Sequence, residues 1–278
     1  MLALRVFKAC LILPPGKINR SKMNDKEKIW DRWTSMKMKI QYIGHSTFHI
    51  NIDIDDQLLS IITDPWFDKG GFILKRVSNP ALSLNDIQRC DLMLVSHSHT
   101  DHFDNLTLNH ARNNWKPTII GPKSVVKKAN KFGLQNTITV FPGESFDIFG
   151  IKVNVVRALH PIIGGRDAVG YILSFDNTNI YFSGDTVYSD DVITDIKDFK
   201  IHIALLPVGA AKFLSRKVVM DVHDATRFAL EINPDIVIPM HYNALKGTEA
   251  DPEKIRSTLS DKGIELRVLN PGDITWTD

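Results

Sequence analysis

A dense group of metal-binding side chains lies between residues 96 and 102 of this sequence. The segment reads Ser-His-Ser-His-Thr-Asp-His, so three histidines and an aspartate fall within six residues. His97 and His99 are two positions apart, and in extended backbone their imidazoles point in the same direction. Asp101 and His102 follow where the chain must turn, and aim at a second point nearby. One metal ion does not comfortably take all four ligands from so short a loop, so the spacing indicates two adjacent ions.

The position of this loop in the chain also favours a metal centre. It follows directly after the apolar run Leu92–Val95, which predicts a buried strand. His160, Asp185 and His241 stand at similar places, where other apolar runs stop. A single histidine at a strand end is more often structural, and the alternative for residues 96–102 is a polar surface loop. Several such residues together with a His-x-His-x-Asp-His loop reverse those odds.

Composition indicates an ordinary globular protein. The 278 residues are 43% hydrophobic and 24% charged, and a net charge of +2 gives no strong signal for nucleic acid or an anionic membrane. No apolar run approaches the roughly 18–20 residues of a transmembrane segment. Cys10 and Cys90 have no metal-type spacing and suggest no disulfide framework, and Cys90 is expected to be a buried free thiol. These features together favour a cytoplasmic protein.

Residues 1–37 are predicted to be an N-terminal extension outside the folded domain. The first 24 residues contain no acidic side chain, and their apolar pieces are broken by Arg5 and Lys8 and stop at Pro14-Pro15. A secretory signal is therefore unconvincing. A transit-type segment, a disordered arm and a mis-assigned start codon remain open.

Residues 38–278 are predicted to form one domain that contains two sheets with helices outside. Period-two alternation begins the domain, and strands then alternate with helices on both sides of its midpoint. Strands are predicted at 40–42, 48–54, 58–63, 91–95, 118–120, 137–141, around 146–156 with a turn at Gly150, and at 171–175, 179–182, 201–206, 236–239 and 264–269. Helices are predicted at 106–115, 123–132 and 190–197, after a cap at Asp221, and from Asp251-Pro252 to Gly263.

These motifs resemble those of the metallo-β-lactamase superfamily. The matches are Ser-His-Ser-His-Thr-Asp-His at 96–102, His160, Ser-Gly-Asp-Thr at 183–186, and His241. Gly-His-Ser-Thr-Phe at 44–48, Thr-Asp-Pro at 63–65 and Ile-Pro-Met-His-Tyr-Asn at 238–243 look most like one metal-dependent hydrolase branch. That branch includes ascorbate-phosphate lactonase-like and N-acylphosphatidylethanolamine phospholipase D-like proteins. The resemblance implies an α/β fold: a four-layer αββα sandwich of two mixed β-sheets flanked by helices.

The resemblance also implies a dinuclear metal centre at one edge of the sandwich. Carried over residue by residue, it gives the first ion His97, His99 and His160, the second ion Asp101, His102 and His241, and both ions a bridging Asp185. Imidazole and carboxylate ligands suit Zn²⁺, with Mn²⁺ or Fe as alternatives. A mononuclear or structural zinc site is a weaker interpretation, because structural sites are closed and usually contain cysteine.

Such a centre predicts a hydrolase. Two adjacent ions share a water, lower its pKa and stabilise charge on a substrate oxygen, so a bridging hydroxide attacks an ester, lactone or phosphodiester. Asp101 is then both a ligand and a catalytic residue. Asp64 is predicted to orient a ligand imidazole, the alternative being an ordinary turn aspartate before Pro65. His45 is either a proton donor in the pocket or a satisfied loop histidine.

Candidate substrate-binding residues are less specific. Arg166, Lys212 and Arg216 lie in glycine-flanked or irregular stretches and are candidates for an anionic group of a small-molecule substrate, although loop cations are usually only solvated. Four aromatic residues either line an apolar pocket or belong to the core: Trp66, Phe67, Phe213 and Tyr242. His223 stands where the related branch commonly has an acidic residue, and either faces the site or is exposed. A homo-oligomer stays open.

Two other functions are weaker alternatives. An iron-containing redox or sensor protein on the same fold typically has an acidic residue where this chain has His99. A nuclease is less favoured still, because the chain has no inserted second domain and little charge bias.

Overall fold

The alternation that begins at residue 38 folds as an antiparallel meander. In this computed structural model, which describes residues 38–54, 57–70, 74–162 and 164–277, its strands are β1 Met38–Gly44, β2 Thr47–Ile54 and β3 Gln57–Thr63. Every second side chain, such as Ile40 and Ile50, is fully buried on the same face of the sheet. This arrangement follows from the period of two in the sequence.

The first sheet extends from β3 of this meander through three further strands, which pair in parallel. It continues with β4 Leu92–Leu94, β5 Thr118–Gly121 and β6 Thr137–Thr139. At the other side, the last described strand of the chain, Ile274–Thr277, pairs antiparallel with β1, which gives seven strands among the described residues. The outer face is covered by α1 Asn105–His110, which runs into a π-helical turn at Ala111–Trp115, and by α2 Lys123–Lys131.

The second sheet also has seven described strands. In chain order they are β7 Ser145–Ile148, β8 Ile151–Arg157, β9 Val169–Phe175, β10 Thr178–Phe182, β11 Ile203–Pro207, β14 Ile236–Met240 and β15 Glu265–Leu266. A small hairpin, β12 Lys212–Phe213 and β13 Arg216–Lys217, lies between β11 and β14. The helices on the outer face are α3 Asp190–Ile196, α4 Val222–Ile232 and α5 Arg256–Ser260.

The two sheets pack face to face across one apolar core. Phe48 and Leu94 from the first sheet and Tyr171 and Leu205 from the second belong to the same buried cluster. Each sheet also packs against its own helices through one further apolar cluster. The four-layer αββα sandwich expected from the sequence is thus confirmed. Its described residues, up to Thr277, belong to one compact unit. The extension predicted for residues 1–37 lies outside the described residues.

Three predicted elements differ from the structure. The stretch 264–269 supplies only the two-residue β15, and the strand after it, β16 (Ile274–Thr277), was not predicted because it follows the turn-like Pro271-Gly272. The helix predicted at 106–115 changes from α to π at Ala111. The last helix begins as a 3-10 turn, Pro252–Ile255. Among the described helices, none is long and apolar enough to cross a membrane.

Candidate metal centre

The ligand-type residues meet because the strands before them run in the same direction. In the first sheet, β1, β3 and β4 end at one edge, followed by His45, Asp64 and the 96–102 loop. In the second sheet, β8, β10 and β14 end at the matching edge. Each strand stops where its apolar run stops, so the polar residues that follow collect at one end of the sandwich. The residues after those three strands include His160, Asp185 and His241.

Hydrogen bonds hold the two sheet edges together at this end. The Tyr171 hydroxyl donates to the Val95 carbonyl at 2.9 Å, and the Val169 N–H donates to the Ser96 carbonyl at 3.0 Å. The His241 N–H donates to the His45 carbonyl at 2.8 Å. These bonds fix the spacing of candidate ligands that come from different sheets.

The side chains form two adjacent groups. His97, His99 and His160 place one ligand atom each within 4.8 Å of one another, and a second group on the same criterion is His45, Asp101, His102 and His241. Asp185 reaches both groups. Its Oδ2 atom lies 3.3 Å from His102 Nε2, 3.2 Å from His241 Nε2 and 3.8 Å from His160 Nε2.

These donor atoms have the spacing that one ion requires of its ligands. Two nitrogens that each lie about 2.0–2.1 Å from a tetrahedral zinc are roughly 3.4 Å apart. His160 Nε2 and His99 Nδ1 are 3.3 Å apart, close to that value, as are the two short Asp185 contacts. Imidazole and carboxylate donors at this separation fit a divalent transition metal.

Unpartnered buried atoms concentrate at the same place. Of eleven buried side-chain nitrogens and oxygens that lack a hydrogen-bond partner among the described residues, seven belong to this centre. They are both ring nitrogens of His45 and His241, Nε2 of His97 and His102, and Oδ1 of Asp185. Buried polar atoms are rarely left without a partner, because desolvation then costs about 1–3 kcal/mol each. A bound cation would satisfy Nε2 of His97 and His102, one ring nitrogen of His241 and Oδ1 of Asp185, so the residues present fit a metal.

The outward-facing nitrogens of three imidazoles have fixed partners. Nδ1 of His102 donates to Asp64 Oδ2 at 2.7 Å, and Nδ1 of His160 donates to the Val218 carbonyl at 2.9 Å. Ser96 Oγ donates to Asp64 Oδ2 at 2.6 Å and lies 2.9 Å from His97 Nδ1, which then donates to it. Each bond keeps the proton on Nδ1 and leaves Nε2 facing the centre.

Charge and burial perturb the titration of these groups strongly. Burial lowers the pKa of His97 far below its usual value, and neighbouring imidazoles lower it further. Burial alone would also lower the pKa of His102, but Asp185, Asp101 and Asp64 together hold it well above the usual value. Burial opposes ionisation of Asp185, yet His102 and His241 keep its pKa well below normal. The centre therefore provides anionic carboxylates beside imidazoles.

Backbone strain and glycines shape the same region. His45, Asp64 and His241 have φ values of 60°, 33° and 57°, which non-glycine residues seldom adopt. A Cβ on Gly165 would lie 2.0 Å from His160 Cδ2, and one on Gly209 would lie 1.9 Å from the His241 carbonyl oxygen. These two glycines are required by close contact with ligand residues.

His45 belongs to the second group of candidate ligands, and it lies against Asp101 and His241. Its ring is fully buried, with Nε2 3.5 Å from Asp101 Oδ2 and its centroid 4.0 Å from that of His241. Burial lowers the pKa of His45 to about 3, so the ring is neutral. Trp66 packs edge-on behind it at 5.0 Å, and the Arg76 guanidinium lies 4.0 Å from the Trp66 ring.

The predicted substrate residues take different positions. Trp66 has no exposed surface, so it supports His45 from behind and does not line an open pocket. Tyr242 is half-buried among the helix-side apolar residues. Arg166 is exposed directly after Gly165, and Lys212 is exposed on β12. His223 is exposed on α4, near Asp221 and Asp224, and Lys217 is ion-paired with both of these aspartates.

Sequence reasoning missed several residues that shape the centre. Ser96 begins the ligand motif, and its position directly before His97 could have indicated that its hydroxyl contacts the imidazole. The Val218 carbonyl had none, because any residue supplies a carbonyl. Arg76 comes from a long loop, and its contact with Trp66 depends on the tertiary fold.

A two-sheet αββα sandwich with a His-x-His-x-Asp-His loop at its edge defines the metallo-β-lactamase class of proteins. The family model described as "Beta-lactamase superfamily domain" matches residues 39–241. A UPF0173 metal-dependent hydrolase of Nanoarchaeum equitans is 31% identical over 241 residues, which are 84% of this chain and 97% of that protein. Another from Methanobrevibacter smithii is 31% identical over 250 residues, covering 85% and 95%.

A solved structure shows the same fold. Igni18, a metallo hydrolase from Ignicoccus hospitalis, is 24% identical and superposes with a TM-score of 0.70 over 87% of this chain and 98% of its own. The chain belongs to the β-lactamase superfamily and, within it, to the UPF0173 metal-dependent hydrolases. The prediction of a metal-dependent hydrolase is confirmed at this level.

Proposed function

We propose that the enzyme is a dinuclear hydrolase that holds two divalent ions, zinc being expected, and cleaves an ester, lactone or phosphodiester. The position of Asp185 carries the proposal. Its Oδ2 lies within 3.8 Å of Nε2 atoms from both ligand groups, and a carboxylate so placed suits a bridge between two ions. The two groups together offer more donor atoms than one tetrahedral ion binds.

The chain supplies three ligands to each ion and one shared ligand. The first ion takes His97, His99 and His160, the second takes Asp101, His102 and His241, and Asp185 is common to both. A pair of ions held there supplies Lewis-acid activation of both a water molecule and the bond to be cleaved. No serine or cysteine nucleophile is required.

Neighbouring residues position these ligands. Asp64 holds the proton on His102 Nδ1, and Ser96 links Asp64 to the His97 ring. His45 Nε2 lies 3.5 Å from Asp101 Oδ2. We assign His45 to orient Asp101, in place of the proton donor in the pocket considered from the sequence, because its ring is fully buried.

The class of bond rests on resemblance. The Thr-Asp-Pro motif at 63–65 and the Ile-Pro-Met-His-Tyr-Asn motif at 238–243 resemble the branch of lactonase-like and phospholipase D-like proteins. Lactone and phosphodiester cleavage need the same water and the same ions, so the ligands do not separate them. A small-molecule substrate with an anionic group suits the exposed Arg166 and Lys212.

A substrate panel with metal analysis tests the proposal. Protein loaded with Zn²⁺, Mn²⁺ or Fe²⁺ is assayed with γ-butyrolactone, p-nitrophenyl acetate and bis(p-nitrophenyl) phosphate. We expect metal-dependent hydrolysis of at least one probe, lost in His97→Ala together with binding of the first ion and retained in the control His110→Ala, which changes a histidine outside the centre. Full turnover in His97→Ala would contradict it, as would oxygen consumption by the iron-loaded protein without hydrolysis.

A further inference from the structure

The β12–β13 hairpin projects from the sheet edge that carries the metal centre. Lys212 pairs with Lys217 and Phe213 with Arg216 across its two strands. Leu214 and Ser215 form the turn, with φ values of 46° and 65°. Two-residue turns with positive φ usually contain asparagine or glycine, because these residues adopt positive φ with little steric strain. A leucine at such a turn does not serve the stability of the fold.

The base of this hairpin is fixed against one ligand from each group. The carbonyl of Val218, directly after β13, accepts the hydrogen bond from His160 Nδ1 at 2.9 Å. On the other side, Gly209 lies against the His241 carbonyl so closely that no side chain fits. The Val218 N–H also donates to the Ala211 carbonyl at 2.9 Å, which closes the base. The hairpin is therefore held next to the centre.

Its tip exposes large apolar side chains. Leu214 is 83% exposed and Phe213 is 53% exposed. Leu159, which directly precedes His160, is 47% exposed, and its segment is joined to the hairpin base through Thr186. Thr186 Oγ1 accepts from the Leu159 N–H at 3.0 Å, and its carbonyl accepts from the Met220 N–H at 2.9 Å. Several large apolar side chains left exposed on segments that adjoin a site indicate a ligand.

The hairpin also presents uncompensated positive charge. Lys212 and Arg216 are exposed and form no ion pair with the residues that the structure describes. Lys217, by contrast, is paired with Asp221 and Asp224. Since Arg216 is directly opposite Phe213, a cation and an aromatic ring share one face of the hairpin.

We propose that this hairpin selects the substrate, and that the substrate is a small anionic amphiphile. Phe213 and Leu214, with Leu159, contact an alkyl or aryl group, while Arg216, on the same face as Phe213, binds an anionic group of the same molecule. The inference rests on the proposed hydrolytic function of the adjacent centre. A lipid surface fits less well, because polybasic membrane segments carry about 4–8 cations and this hairpin has two unpaired ones.

Binding of a matched pair of phosphonates tests the inference without turnover. The affinities of methylphosphonate and octylphosphonate for the zinc-loaded protein are compared by calorimetry. We expect octylphosphonate to bind at least tenfold more tightly, since burial of about two methylene groups has that effect. Phe213→Ser/Leu214→Ser should reduce the ratio below about twofold and leave methylphosphonate affinity unchanged. Arg216→Ala should weaken both ligands by a similar factor, more at low salt.

The β7–β8 hairpin provides the control. Phe149 is 51% exposed at a turn with φ of 51°, at the far end of β8 from His160, and Lys152 is exposed nearby. Phe149→Ser/Lys152→Ala should keep the full octyl preference. Equal affinities in the unaltered protein, or an octyl preference that survives Phe213→Ser/Leu214→Ser, would overturn the inference. So would hairpin-dependent binding to phosphatidylglycerol vesicles without any octyl preference.

The two proposals fail in distinguishable ways. An octyl preference without hydrolysis of any probe would contradict the hydrolytic proposal and leave the hairpin as the apolar binding element. Hydrolysis without an octyl preference would contradict only the hairpin inference.

Discussion

Asp64 Oδ2 lies 2.7 Å from Nδ1 of His102, and this hydrogen bond joins the end of β3 to a candidate ligand in the loop after β4. Both side chains are fully buried. The same carboxylate accepts hydrogen bonds from the N–H and the hydroxyl of Ser96, each at 2.6 Å. One side chain therefore fixes both the entry of the ligand loop and the orientation of an imidazole within it.

Replacing Asp64 by asparagine should weaken metal binding more than it weakens the fold. The amide keeps the shape but loses the charge that holds the Nδ1 proton of His102, and loss of such a partner typically costs 10–100-fold in metal affinity. Affinity is measured by competition with a chelator. Asp91→Asn is the control, because Asp91 accepts from the Ser60 N–H away from the centre. Unchanged affinity in Asp64→Asn would contradict this role.

Gly165→Ala should displace His160. The new Cβ would lie 2.0 Å from His160 Cδ2, so the ring must leave its present position. We expect occupancy of the first ion to fall, seen as lower metal content and an altered visible spectrum of the cobalt-substituted protein. Gly143→Ala, whose Cβ meets no atom within 4 Å, should change neither measurement. A wild-type spectrum in Gly165→Ala would show that this contact does not constrain the ligand.

Removing metal should lower the free energy of unfolding. The unpartnered nitrogens and oxygens of the centre are buried in the native state, and an ion that binds only this state stabilises it by mass action. At a free metal concentration one hundred times Kd the gain is about 2.7 kcal/mol per site. Urea unfolding with and without chelator measures it. His97→Ala should show a smaller difference, and identical midpoints for the unaltered protein would exclude this coupling.

Cys90 should be chemically inert in the folded protein. It is a buried free thiol, and burial raises its pKa well above that of an ordinary cysteine. In a Cys10→Ser variant, which leaves Cys90 as the only thiol, Ellman's reagent should react only as the protein unfolds in denaturant. Rapid reaction under native conditions would show that the strand before the ligand loop opens locally.

Periodicity and strand ends made much of the fold and centre predictable. The alternation at Phe48, Ile50 and Ile52 predicts a half-buried strand, and these residues are fully buried on one face. His97 and His160 were identified because each follows an apolar run, and parallel strands bring such ends to one edge. The buried free thiol at Cys90 was also predicted correctly.

Contacts made by the backbone or through space were not predictable. The Val218 carbonyl holds His160, but a carbonyl has no residue-specific signal. Trp66 reads equally well as pocket wall or core, and only the fold shows it buried behind His45. Each strand of the hairpin at 212–217 has only two residues, too few to show an alternation of polar and apolar side chains. The sequence therefore predicts an irregular loop at Lys212 and Arg216.

Metal stoichiometry tests the dinuclear centre most directly. Elemental analysis of the purified, metal-loaded protein should give two ions per chain. His160→Ala should retain about one ion, because the second ligand group is intact, whereas Asp185→Ala should lose affinity for both. One ion per chain in the unaltered protein, lost equally in His160→Ala and His241→Ala, would contradict the assignment of two sites.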